Sequence, residues 1–191
     1  MAMEDKIDFE ELARETKILT GFTPAHEQLL IDAAPEIQPH LGAVTESFYA
    51  ALHQLPKAQP FIEGRLESLK HTHRQWLESL FVGPFGADYT RAMYKVGMVH
   101  VKVKLPVEFM QGAGTMIQSE LIEVSRKVYA DNPQRMGDVI RAVNGVIGFS
   151  VTIMQESYQA SSLVEELEKF LAITGMSRNL FNNLALAYEV K

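Results

Sequence analysis

The chain has 191 residues, 47% of them hydrophobic, which suits one globular domain with a full core. Its net charge is −6, with acids and bases interspersed and no Lys/Arg cluster, so nucleic acid is excluded as a partner. Cysteine is absent, which excludes disulfides, zinc–thiolate sites, iron–sulfur clusters and thiol catalysis, and fits a reducing cytoplasm.

The segment Met1 to Lys6 is polar and acidic and lacks the apolar core of a signal peptide. The first helix is predicted over Asp8 to Leu19, stopped by Gly21. Thr23-Pro24 pairs an N-cap with a first-turn proline and opens a helix through about Ala34. Pro35 and Pro39 punctuate the chain before a helix from about Pro39 to Gln54, and Pro56 and Pro60 bracket a short turn. Gly64 precedes an amphipathic helix that ends at Gly83-Pro84, followed by one from about Asp88 to Lys104. Pro106 restarts the chain into a long helix to about Ala130. Asn132-Pro133 starts a second, reaching at least Tyr158. Leu163, Leu167, Phe170 and Thr174 then form a short heptad-like seam broken at Gly175, and Met176 to Val190 is a further amphipathic piece. No hairpin signal flanks a β-branched run, and no apolar run approaches the ~18 residues that span a bilayer. The expected class is all-α.

Two helices carry the chemistry. Met93, Val96, Gly97, His100 and Val103 share one apolar face, so His100 points inward. A buried imidazole needs a partner, either a carbonyl or a metal centre such as haem iron. On the helix from Leu66 to Phe81, the stripe Leu66, Leu69, Trp76, Leu77 and Leu80 has its gap at His73. His71 lies roughly 200° away and faces solvent. Two imidazoles on different helices can hold one iron, or each can bond a backbone carbonyl. Tyr49 sits at the edge of the face Val44, Phe48, Ala51, Leu52 and Leu55, where its hydroxyl either reaches a bound ligand or lies at the surface. No phosphate-binding loop or catalytic triad is present.

The ordered set Phe48-Tyr49, Trp76-Leu-Glu-Ser-Leu-Phe-Val-Gly83, Tyr89, Val96-Gly-Met-Val-His100 and Leu105 resembles the sensor globin of globin-coupled sensors over about residues 5 to 160. The resemblance implies a globin fold with an extra N-terminal helix and a C-terminal helical extension, divided into a sensor domain at 1–160 and a tail at 161–191. It implies haem b, with His100 as proximal iron ligand, its second ring nitrogen hydrogen-bonded to an acceptor, and Tyr49 as distal hydrogen-bond donor. Leu69, Thr72 and His73 form the distal wall, Phe48 packs on the macrocycle, and Trp76, Val96 and Val103 complete the cofactor contacts. The sequence departs from the family at Lys104-Leu105, where many members have Gly-Leu, and at His73, where an apolar residue is common.

The function this implies is a cytoplasmic haem-based gas sensor. His73 occupies the sixth iron position until oxygen, carbon monoxide or nitric oxide displaces it. Family members pass the signal to an output module, such as a methyl-accepting, histidine kinase or diguanylate cyclase domain, or a partner signalling protein takes that role; the sensor itself is not an enzyme. The alternative is a haem-free globin-fold interaction module of a stress-signalling complex. A haem enzyme is a third reading, without an acid–base apparatus to support it. A homodimer is expected through the two long helices. There Gly112, Gly114, Gly145 and Gly148 permit close approach, and Ile140, Val143, Ile147, Val151 and Met154 form a second apolar stripe.

Overall fold

Residues 7–189 are described by a computed structural model, and every regular element among them is helical. The helices are α1 (Phe9–Thr20), α2 (Pro24–Ile37), α3 (Leu41–His53), α4 (Gln59–Ile62), α5 (Leu66–Ser79), α6 (Ala87–Lys102), α7 (Val107–Val128), α8 (Pro133–Thr174) and α9 (Arg178–Glu189). Single 3-10 turns, Gln38–His40 and Pro56–Ala58, lead into α3 and α4. The segment Met1 to Lys6, and Val190 at the end of the last predicted piece, lie outside the described residues.

The punctuation read from sequence sets most of these boundaries. Asp8 caps α1, accepting from the Glu10 and Glu11 amides, and Gly21 ends it in the left-handed region at φ 65°. Thr23 caps α2 in a capping box with His26, and Asn132 caps α8 by accepting from the Arg135 amide. Two helices outrun their expected ends. Pro35 lies inside the last turn of α2, which continues to Ile37 because Ala33 and Ile37 are both buried there. Proline already has a helical φ, and the burial offsets its missing donor. Helix α8 runs unbroken through the predicted seam to Thr174 and is capped by Gly175 at φ 69°. The proposed boundary at residue 160 therefore falls within one helix. Leu55 does not join the apolar face of α3: that helix stops at His53, and Leu55 is 44% exposed.

Helix α8 is the axis of the fold, with α1, α2, α6 and α7 packed around it. Phe22, which follows α1, meets Phe85 edge-on at 5.2 Å and Phe149 of α8 at 5.6 Å. The extra N-terminal helix is fastened by Phe9, whose ring meets Tyr94 of α6 at 5.7 Å. An 18-residue window of α8 has a mean hydropathy of 1.3, enough by composition to cross a bilayer, but these apolar side chains serve the core.

The expected second stripe of α8 is corrected. Val143, Ile147 and Met154 are buried within the subunit, as part of the common core, so they form no free interface; the other two residues of the stripe, Ile140 and Val151, are half-buried. A chain with four helices packed around one axis buries more than one face of that axis. Two of the glycines serve the same packing: a Cβ on Gly145 would come 3.0 Å from Phe22, and one on Gly114 would come 2.8 Å from Val151.

Candidate functional site

Helix α3 packs on α5, and α6 packs on α8, while α6 makes no extensive contact with α3 or α5. The predicted site residues are divided between these two helix pairs. From α3, Phe48 and Tyr49 point inward and are buried. From α5, His73 is half-buried, with its ring stacked flat on Phe48 at 4.7 Å and an interplanar angle of 7°. Tyr49 meets the same imidazole edge-on at 5.6 Å, and Trp76 lies 5.7 Å from it. His71 is exposed, as its rotation on the helix requires. Leu69 is half-buried against the core, while Thr72 is exposed, its hydroxyl donating back to the Ser68 and Leu69 carbonyls.

Two features orient His73. The aromatic walls fix the plane of its ring, and Thr45 Oγ1 lies 3.1 Å from Nδ1. Its Nε2 is buried without a partner. Burial lowers the His73 pKa to about 4, so the ring is neutral near pH 7. The same desolvation pushes the Tyr49 hydroxyl up to about 12 and keeps it a neutral donor. Thr45 was absent from the sequence reading. Its signal was present in the spacing of Thr45, Phe48, Tyr49 and Leu52, one helical face of α3.

In the other pair, α6 is seated by Gly97. A Cβ there would come 2.2 Å from Ser157 Oγ and 2.4 Å from the Met154 carbonyl oxygen, so only glycine lets α6 lie this close to α8. This is the physical reason for glycine three residues before His100. Val96 and His100 are half-buried on that helix, as is Val103 at its C-cap. Burial holds the His100 pKa below the ordinary imidazole value, and its Nδ1 is sealed from solvent. The acceptor expected for its second nitrogen is not in place: Nδ1 has no hydrogen-bond partner.

The helix ends in a Schellman turn: Lys104 N–H donates to Val101 O at 2.8 Å, and Leu105 N–H donates to His100 O at 2.9 Å. Lys104 takes the left-handed position at φ 58°, so the departure from Gly-Leu changes the residue and keeps the turn. In the first turn of α6, the Tyr89 hydroxyl lies 2.7 Å from Ser150 Oγ, which itself donates to Val146 O. Tyr89 must therefore be the donor, and it ties α6 to α8.

A helical assembly folded around one long axial helix, with one inward histidine on each of two helix pairs, is a globin with an added N-terminal helix and a C-terminal extension. A protoglobin family model matches residues 9–163, and the chain belongs to that family. The chain is similar to the globin domain of the Geobacter sulfurreducens globin-coupled sensor, with 26% identity and a TM-score of 0.69, over 76% of this chain and 96% of that one. It also shares its fold with the ferric globin domain of E. coli DosC, at 17% identity and a TM-score of 0.64, over 76% of this chain and 99% of that one. No curated protein sequence matches the chain.

Haem, which this family membership brings into question, fits the residues present. Each of the two helix pairs offers a neutral imidazole, and that of His73 has a buried, unpartnered Nε2 beside the rings of Phe48, Tyr49 and Trp76. Buried polar atoms without partners are rare enough to need an explanation, and iron ligation supplies one.

Proposed function

We propose that this protein is a haem-based gas sensor: a globin that binds haem b, with His100 as the proximal iron ligand and His73 as the distal one. The observation that carries the reading is the neutral imidazole of His73, whose buried Nε2 has no partner, together with the neutral imidazole of His100 on another helix. Bound haem would supply an iron centre able to take a diatomic gas such as O2, CO or NO. The chain's own residues would do the rest. Thr45 holds His73 by its Nδ1 and leaves Nε2 free. His73 would hold that centre in the absence of a gas and would be the group to yield to one, with Tyr49 the neutral donor beside it. We assign sensing and not catalysis to the chain. Residues 1–160 are the sensor and 161–191 the tail that leads toward an output module or partner signalling protein, within the cytoplasm. The proposed homodimer would use the outward faces of α7 and α8, where Gly112, Thr115, Ser119 and Asn144 are exposed. The globin-coupled sensor among the similar structures supports the sensing role.

The test is an absorption spectrum of the purified protein supplied with haem. A Soret band that is lost in His100→Ala is expected; a His100→Ala variant that keeps haem with an unchanged spectrum refutes the assignment, and a wild-type protein with no Soret band favours the haem-free interaction module. Resonance Raman of the ferrous protein tests the distal role. A six-coordinate low-spin spectrum that becomes five-coordinate in His73→Leu is expected, whereas a five-coordinate spectrum insensitive to that change removes His73 from the iron.

A further inference from the structure

The mechanism above leaves two buried polar atoms unexplained on the proximal side. His100 Nδ1 and the Tyr158 hydroxyl are both sealed from solvent, and neither has a hydrogen-bond partner. Buried polar groups are rarely left unpaired, so two at one end of a helix pair call for a common reason. Their positions supply it. Helices α6 and α8 run parallel in a steady register: Tyr89 meets Ser150, Gly97 meets Met154 and Ser157, and Lys104 lies close enough to Glu165 to act on its charge. Interpolating along that register brings His100 level with the turn of α8 that contains Tyr158. The Ser157 hydroxyl on the same turn is already committed, donating to Met154 O at 2.6 Å. Tyr158 also packs on the common core, and the charge of Glu108 in the first turn of α7 reaches its hydroxyl. The register thus sets the turn of α8 that carries Tyr158 beside the turn of α6 that carries His100.

A histidine that holds a metal through one ring nitrogen nearly always donates the other N–H to a fixed acceptor, which sets the ring's orientation and its donor strength. We propose that Tyr158 is the positioning residue for His100, its hydroxyl oxygen accepting the Nδ1 hydrogen when the other ring nitrogen holds iron. The inference rests on the haem reading above. It differs from an ordinary packing role in one respect. In the haem-free protein the hydroxyl stabilises nothing, so removing it is neutral or slightly favourable; in the loaded protein the same removal is harmful.

The experiment compares Tyr158→Phe with wild type in both forms. Without haem, the variant is expected to melt at the same temperature or slightly higher. With haem, it is expected to lose haem to an acceptor protein about 10-fold faster, at the low end of the range for removing an outer-shell partner. Its iron midpoint potential should rise, because an imidazole that shares its Nδ1 hydrogen less donates less charge to iron. In a His73→Leu background, the iron–histidine stretching frequency should fall for the same reason. If Tyr158→Phe lowers melting equally in both forms, or leaves the potential and the stretching frequency unchanged, the positioning role is overturned. A failure of the underlying reading looks different: His100→Ala would then retain haem with an unaltered spectrum.

Discussion

Replacing Gly97 by alanine tests the seating of the proximal helix. The added Cβ would stand 2.4 Å from the Met154 carbonyl oxygen and 2.9 Å from Met154 Cα, as well as 2.2 Å from Ser157 Oγ. The serine can rotate, at the loss of its 2.6 Å hydrogen bond to Met154 O, but the backbone of α8 cannot give way locally. Restoring ordinary contact needs the helices to part by about 1 Å. Overpacking of this kind costs about 1–3 kcal/mol, and a clash with backbone belongs at the upper end. Alanine recovers about 1 kcal/mol through its better helix propensity. The net loss is about 2 kcal/mol, which for a chain of this size lowers Tm by about 4–8 °C. The control is Gly137→Ala on α8, where a Cβ meets nothing within 4 Å, so that variant should be stabilised by up to about 1 kcal/mol. Calorimetry of both variants is the assay. A Gly97→Ala protein that melts at or above wild type would refute the close-packing argument, and its haem affinity should fall together with its Tm because His100 moves with α6.

Further outcomes follow from the same geometry. Lys104→Gly should stabilise the protein by about 1 kcal/mol in urea titration, because a lysine at φ 58° carries the left-handed penalty that glycine lacks; no gain would mean that the Lys104 side chain compensates. Thr45→Val keeps the shape and removes the partner of His73 Nδ1, and should cost about 1 kcal/mol by the same titration; an unchanged midpoint would show that this contact contributes nothing. The haem-free protein should lose stability as pH falls from 6.5 toward 4, since His73 binds a proton in the unfolded chain over that window while burial keeps it neutral in the folded one. Burial of His100 acts in the same direction, and thermal melts of His73→Phe should show a shallower acid dependence; an equal slope would refute the assignment.

Local chemistry on the chain was enough to fix the helices and their ends. Asp8, Thr23 and Asn132 cap because their side-chain oxygens reach amides two or three residues on, and Gly21 terminates because it alone enters the left-handed region without cost. The inward aim of His73 and the outward aim of His71 likewise needed only the helical period. The family could be read from the same residues, because the spacing of Trp76 to Gly83 and of Val96 to His100 records which positions face inward.

What depends on partners distant in sequence was decided by the tertiary structure. Periodicity shows that Val143, Ile147 and Met154 are apolar, but not that other helices cover α8 so that these three are core and not interface. Nor does it show that Gly97 answers to Ser157, or that Thr45 answers to His73, since each pair is joined only when separate helices meet. Propensity placed a break at Pro35, and the burial of Ile37 carried the helix past it. Helical period and capping are properties of neighbours along the chain. Burial, close approach and the pairing of polar atoms are properties of neighbours in space, which only the assembled helices define.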